Sequence, residues 1–101
     1  MSDSVKLRAA KLIHKQATDN NEVWVMYEQC RWCKFDPLSA ESCLLFMTTL
    51  GIEAGEGIGN TYYAGKASTR GGHPYTTHAK TIPEAVYNCV IKILEDEDER
   101  Q

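Results

Sequence analysis

The residues of this chain with the richest chemistry are its four cysteines and three histidines. Cys30-Arg31-Trp32-Cys33 sets two thiols at the spacing of half a zinc knuckle or of a redox pair. A structural zinc site takes four tetrahedral ligands, usually with a second close pair, and here Cys43, Cys89, His73 and His78 are scattered singly. A redox pair works from a helix N-terminus, where the thiolate is favoured, and this pair instead follows an aromatic run. Ordinary thiols, at least one of them buried, are the reading that remains. No metal or other cofactor is expected.

His73 and His78 flank a strand-like segment with Tyr75 between them and Lys80 beyond, a grouping suited to proton transfer. General acid-base work also needs a carboxylate or second base within hydrogen-bond reach, and no acid occurs between Glu56 and Glu84. Pairing of Cys43 or Cys89 with a histidine fails for another reason: both thiols fall on apolar helical stripes and so face the core. Gly55-x-Gly57-x-Gly59 suggests a phosphate cradle, but such loops lead from a strand into a helix carrying Lys-Ser or Lys-Thr. This one leads into a strand. An enzyme is not expected, and no catalytic residue is assigned.

Two sets of residues suit binding. Lys66, Arg70, His73 and Lys80, interleaved with Tyr63 and Tyr75, place cations beside aromatics in the manner of a nucleic-acid surface. A double-stranded-RNA domain has a similar outline, yet such domains are strongly basic, and this chain has a pI near 5.5. The second set is the acidic run Glu95, Asp96, Glu97, Asp98 and Glu99 with the two tryptophans, Trp24 and Trp32. A carboxylate run can imitate phosphates on a basic partner, and tryptophan is favoured at binding hot spots. Without that run, residues 1 to 94 carry ten basic and nine acidic side chains, so the body is nearly neutral.

Elements that position these groups follow from periodicity and punctuation. Val5, Ala9, Leu12, Ile13 and Ala17 repeat at helical spacing and predict a helix over 4–17, closed by Thr18-Asp19-Asn20-Asn21 as a turn. Val23-Trp24-Val25-Met26-Tyr27 favours a strand, although helix over 22–33 also fits the pattern. Asp36-Pro37-Leu38-Ser39 reads as a helix entry, Cys43, Leu44, Phe46, Met47 and Leu50 as its apolar stripe, and Gly51 as its left-handed end, giving a helix over 37–50. Glycines 55, 57 and 59 then punctuate a hairpin into Thr61-Tyr62-Tyr63-Ala64-Gly65-Lys66-Ala67. Arg70-Gly71-Gly72-His73-Pro74 turns into Tyr75-Thr76-Thr77-His78-Ala79. Thr81-Ile82-Pro83-Glu84 is a capping box that opens a helix whose apolar face runs from Ile82 to Leu94.

The fold expected is therefore α+β, a small helix/antiparallel-sheet/helix sandwich. Its C-terminal half reads strand, strand, helix, and an N-terminal helix packs on the sheet. Residues 1–94 form the single domain, and 95–101 an acidic, disordered tail. No segment has the roughly 20 apolar residues of a membrane span, and the first residues lack the apolar stretch of a signal peptide. A cytoplasmic protein without membrane contact is expected.

Phe35-Asp36-Pro37-Leu38-Ser39 with Cys43-Leu44-Leu45, and His78-Ala79-Lys80-Thr81-Ile82-Pro83-Glu84-Ala85-Val86 with Cys89, resemble the phage ABA sandwich domain family. The resemblance covers residues 35–94, and residues 4–34 depart from it. It implies a phage or prophage origin, helix-sheet-helix packing and no catalytic residues. The expected function is that of a non-enzymatic accessory protein docking on a host protein, such as a defence nuclease or CRISPR effector, in the manner of an anti-CRISPR inhibitor. A homodimer is compatible with so small a domain. The alternative is a small nucleic-acid-binding regulator that uses the Lys66 to Lys80 hairpin face.

Overall fold

In the computed structural model, which describes residues 4–27, 31–66 and 75–99, the N-terminal helix α1 spans Val5–Ile13. The Ser4 side chain caps it, accepting from Leu7 N–H at 3.2 Å. His14 ends it in extended conformation, its N–H donating to Ala10 O at 2.9 Å. The helix is thus a turn shorter than its apolar spacing suggested. The expected turn at 18–21 is instead strand β1 (Ala17–Asn20), paired antiparallel with β2 (Glu22–Tyr27). Asn21 alone reverses the chain, at φ +67°, a conformation asparagine tolerates better than most residues. The strand alternative for the aromatic run is the correct one, and β3 (Arg31–Lys34) adds to it, giving a first sheet of order β1-β2-β3.

Helix α2 spans Ala40–Leu50 and starts three residues later than the Pro37 signal suggested. Asp36 accepts from Leu38 N–H at 3.0 Å within a preceding turn, while Ser39 supplies the cap, accepting from Ser42 N–H at 3.1 Å. Gly51 closes the helix at φ +70°, where a side chain would strain the left-handed backbone. Strands β4 (Glu53–Glu56), β5 (Tyr62–Lys66) and β6 (Tyr75–Ala79) form a second antiparallel sheet in that order. Strands β5 and β6 lie within the two expected strand segments, and β4 takes in Gly55, the first of the glycines expected to punctuate the hairpin. Glu-Ala-Gly-Glu carries no β signal of its own, and pairing with the tyrosine-bearing β5 makes it a strand.

Helix α3 (Ile82–Glu99) opens as the capping box predicts, with Glu84 N–H donating to Thr81 Oγ1 at 3.3 Å. It does not end at Leu94. The segment expected to be a disordered tail continues as helix through Glu99. Two long-range bonds accompany the extension: the Arg8 guanidinium donates to Leu94 O at 3.4 Å, and the Tyr75 hydroxyl donates to the Asp96 carboxylate.

Ala85, Val86, Cys89, Val90, Ile93 and Leu94 of α3 are buried. Burial of each large aliphatic side chain is worth roughly 1.5–3 kcal/mol, an upper estimate because the unfolded chain is not fully extended. The helix lies along the inner face of the second sheet, where Thr77 Oγ1 donates to Ala85 O at 2.6 Å. Helix α2 packs on α3 and α1, and α1 covers β1 and β2. Phe46 is fully buried where these layers meet, edge-on to Phe35 at 6.4 Å and stacked on Tyr87 at 6.3 Å. Among the described residues the result is an α+β arrangement of three helices and two three-stranded antiparallel sheets.

Candidate docking surface

Residue parity on β2 decides which side chains the first sheet shows outward. Val23 and Val25 are buried beneath it, so Trp24 and Met26 stand on the opposite face, and neither is buried. Across the β2–β3 ladder Trp24 lies opposite Lys34 and Met26 opposite Trp32. Side chains directly opposite have Cβ atoms about 4.5–5.5 Å apart. Trp24, Met26 and Trp32 therefore form one diagonal apolar row, with Trp32 43% exposed. Thr18 borders the row on the β1 side, opposite Trp24. An ion pair from Lys34 to Glu22 at 3.0 Å borders it at one end. By residue type the two tryptophans group with the acidic run, and the strand register sets them on one face of the first sheet.

The acidic run lies elsewhere, on the last turns of α3. Glu95 is exposed, whereas Asp96 is half-buried and bound to Tyr75. The backbone of Glu97, Asp98 and Glu99 is helical, and their side chains lie outside the described residues. No basic residue occupies the last turn of this helix. Carboxylates there oppose the helix macrodipole, whose C-terminal end is already negative.

The proposed nucleic-acid set is divided between two faces and two ends of the second sheet. Tyr63 stands on the outer face, its ring close over Gly55, where a Cβ would lie 3.1 Å from the ring. His78 sits opposite Tyr63 and is exposed beside it. Lys66 and Tyr75 share the parity of buried Ala64 and so take the inner, α3-facing side, where the Tyr75 hydroxyl is bound to Asp96. Lys80 is exposed after β6, at the other end of the strands from Lys66. Arg70 and His73 lie outside the described residues. The described members thus make no single cationic stripe.

Among the other chemical candidates, Cys43 and Cys89 are core thiols whose pKa values burial raises. Cys89 Sγ contacts Tyr75 O at 3.8 Å, and Cys33 is half-buried on β3. Cys30 lies outside the described residues. Among the described residues no three His, Cys, Asp or Glu side chains converge to hold a metal ion. Among the described residues no helix is long and apolar enough to cross a membrane.

His14 is a titratable group that periodicity alone hid, because its position fell inside the expected first helix. Its ring meets Phe35 edge-on at 6.0 Å. Burial lowers its pKa, with the Glu41 carboxylate opposing that shift in part. Comparison of the chain with protein-family models, with curated proteins and with solved structures finds no match.

Proposed function

We propose that this protein is a non-enzymatic binding protein that acts by docking on another protein, and that the outer face of the first sheet is its contact surface. The observation that carries this reading is the row Trp24, Met26 and Trp32, three large apolar side chains kept out of the core on one sheet face. Tryptophan combines a large apolar area with a polar N–H, which makes it an efficient anchor at a partially wet interface. The acidic end of α3 is a second element, suited to a basic partner and repelled by nucleic acid. The resemblance of residues 35–94 to a phage domain family supports a phage or prophage setting. In that setting a host defence nuclease or CRISPR effector, basic where it holds nucleic acid, is the class of target.

The alternative, a nucleic-acid-binding regulator, draws support from Tyr63 and His78 side by side on the outer face of the second sheet. One capture experiment separates the two. Tagged protein is incubated with bacterial lysate, with and without nuclease, alongside Trp24→Ala/Trp32→Ala and Tyr63→Ala/His78→Ala variants. Docking on a protein is expected to retain a stoichiometric host protein after nuclease treatment and to lose it with the tryptophan variant. Nuclease-sensitive nucleic acid without a protein, lost with the Tyr63/His78 variant, would replace this reading with the alternative.

A further inference from the structure

The first sheet ends in a strand that pairs on one side only, β3 with β2, among the described residues. The ladder fixes which of its backbone groups face away. Phe35 N–H donates to Val23 O at 2.8 Å, so the pairs that exchange backbone bonds are Val23/Phe35, Val25/Cys33 and Tyr27/Arg31. Trp32 and Lys34 belong to the alternate pairs and turn their N–H and C=O groups to the outer edge. Lys34, the last residue of that edge, also lines a cleft of about 400 Å³ with Lys6, Phe35, Asp36 and Pro37, the last three of which continue the chain directly out of β3.

We propose that this edge takes up an extended, acid-bearing segment of a partner protein by strand addition, its backbone bonding to Trp32 and Lys34 and an acidic side chain entering the Lys6–Lys34 cleft. The inference rests on the first sheet being the docking surface and names how that surface engages. Charge selects the occupant. Strand β3 carries Arg31 and Lys34, whereas β1 carries Asp19, β4 carries Glu53 and Glu56, and β6 has neither acid, lysine nor arginine. Among the described edge strands it is the basic one, in a chain whose net charge is −3.

Two copies of β3 would gather four cations, Arg31 and Lys34 of each, along one seam, a repulsion of the kind that keeps natural sheet edges from pairing with themselves. An acid-bearing strand meets no such repulsion. Within the cleft, buried Phe35 gives an apolar floor, and Asp36 already accepts from Leu38 N–H. Lys34 is paired with Glu22, but an exposed pair of this kind is worth about 0–1 kcal/mol, so sharing its ammonium with an incoming carboxylate costs little. Backbone bonds supply affinity in this mode, and side chains at alternate positions supply selectivity.

The test uses the full chain and three series of short capped peptides: glutamate alternating with valine, lysine alternating with valine, and the acidic series N-methylated at alternate amides. Amide hydrogen exchange is read residue by residue. The acidic series is expected to slow exchange at the Trp32 and Lys34 amides by about tenfold once the peptide stands near ten times its Kd. The lysine and N-methylated series should leave both amides unchanged. Three results overturn the proposal: no protection of these two amides by any acidic peptide, equal protection by the N-methylated or lysine series, or protection that rises with protein concentration alone. The last would put a second copy on the edge.

The partner-level arm uses Lys34→Pro, which removes an outward N–H and no ladder bond, with Lys34→Glu in reserve should the proline variant melt early. Host-protein capture lost with both Trp24→Ala and Lys34→Pro supports strand addition. Capture lost with Trp24→Ala but kept with Lys34→Pro overturns strand addition and leaves the docking surface standing. Capture indifferent to Trp24 overturns both.

Discussion

The last turns of α3 are held against their own electrostatics, and a single atom tests how. Five consecutive acids run from Glu95 to Glu99 with no cation in the last turn of the helix. Each carboxylate in the final turn opposes the macrodipole by about 0.3–1 kcal/mol, and like charges four residues apart add roughly 0.2–0.5 kcal/mol. Left to itself such a segment frays. The Tyr75 hydroxyl, donating to Asp96, ties it to β6, and Arg8 donates to Leu94 O one turn earlier.

Tyr75→Phe deletes the hydroxyl and keeps the ring. A hydrogen bond to a charged acceptor is worth about 1.5–3 kcal/mol, and Asp96 regains water when the bond is lost, so the net cost should be about 1–2 kcal/mol. Because the segment is terminal, most of that cost should appear as local opening. Amides from Asp96 to Glu99 should exchange about tenfold faster, a factor equivalent to about 1.4 kcal/mol, while those of Val86 to Val90 change little. Raising the salt concentration should recover part of the protection by screening the acids. Amide exchange by NMR at two ionic strengths makes the measurement. Unchanged protection at residues 96–99 would refute the claim that this bond holds the helix end, and equal acceleration throughout α3 would refute its being local.

Two further predictions concern the core. His14 has a pKa lowered by burial from its ordinary value near 6.5, so between the two values the unfolded chain binds more protons than the folded one. Stability should therefore be full above the ordinary value and fall as pH drops through that window; His14→Gln should flatten this part of a urea-midpoint profile, and an unchanged slope would assign the effect elsewhere. Phe46→Ala removes the fully buried ring that joins Phe35 to Tyr87 and should cost about 3–5 kcal/mol in denaturant unfolding, a large share of the roughly 5–15 kcal/mol typical of a domain. A loss below about 2 kcal/mol would mean that the surrounding layers collapse into the space.

Where local signals agreed, the fold was legible in the residues themselves. Thr81-x-x-Glu84 marked the start of α3 to the residue, and Gly51 the end of α2, because a cap and a left-handed terminus each depend on one side chain or its absence. Where tertiary contacts decide, the residues misled. Thr18-Asp19-Asn20 looks like a turn and becomes a strand because Val23 to Val25 offer it a partner. The acidic segment looks like a solvated tail and stays helical alongside bonds contributed by residues far away in the chain. The same contrast holds for the sites. Trp24 and Trp32 stand out by residue type, but only the β2–β3 register brings them onto one face. Lys66 and Lys80 look close in sequence, and the length and pairing of β5 and β6 set them at opposite ends of the strands.

Both sheets are built from strands that follow one another in the chain, and no described strand of one pairs with a strand of the other. Every ladder therefore joins strands separated by at most eight residues in the sequence, a separation over which hairpins form on the microsecond scale. Distant parts of the chain meet chiefly through the helices, where α3 docks on both α1 and α2. Assembly should accordingly be limited by the docking of α3, with two preformed meanders waiting on it. Substitutions at Val86 or Val90 should slow refolding, and those at Val25 should chiefly quicken unfolding.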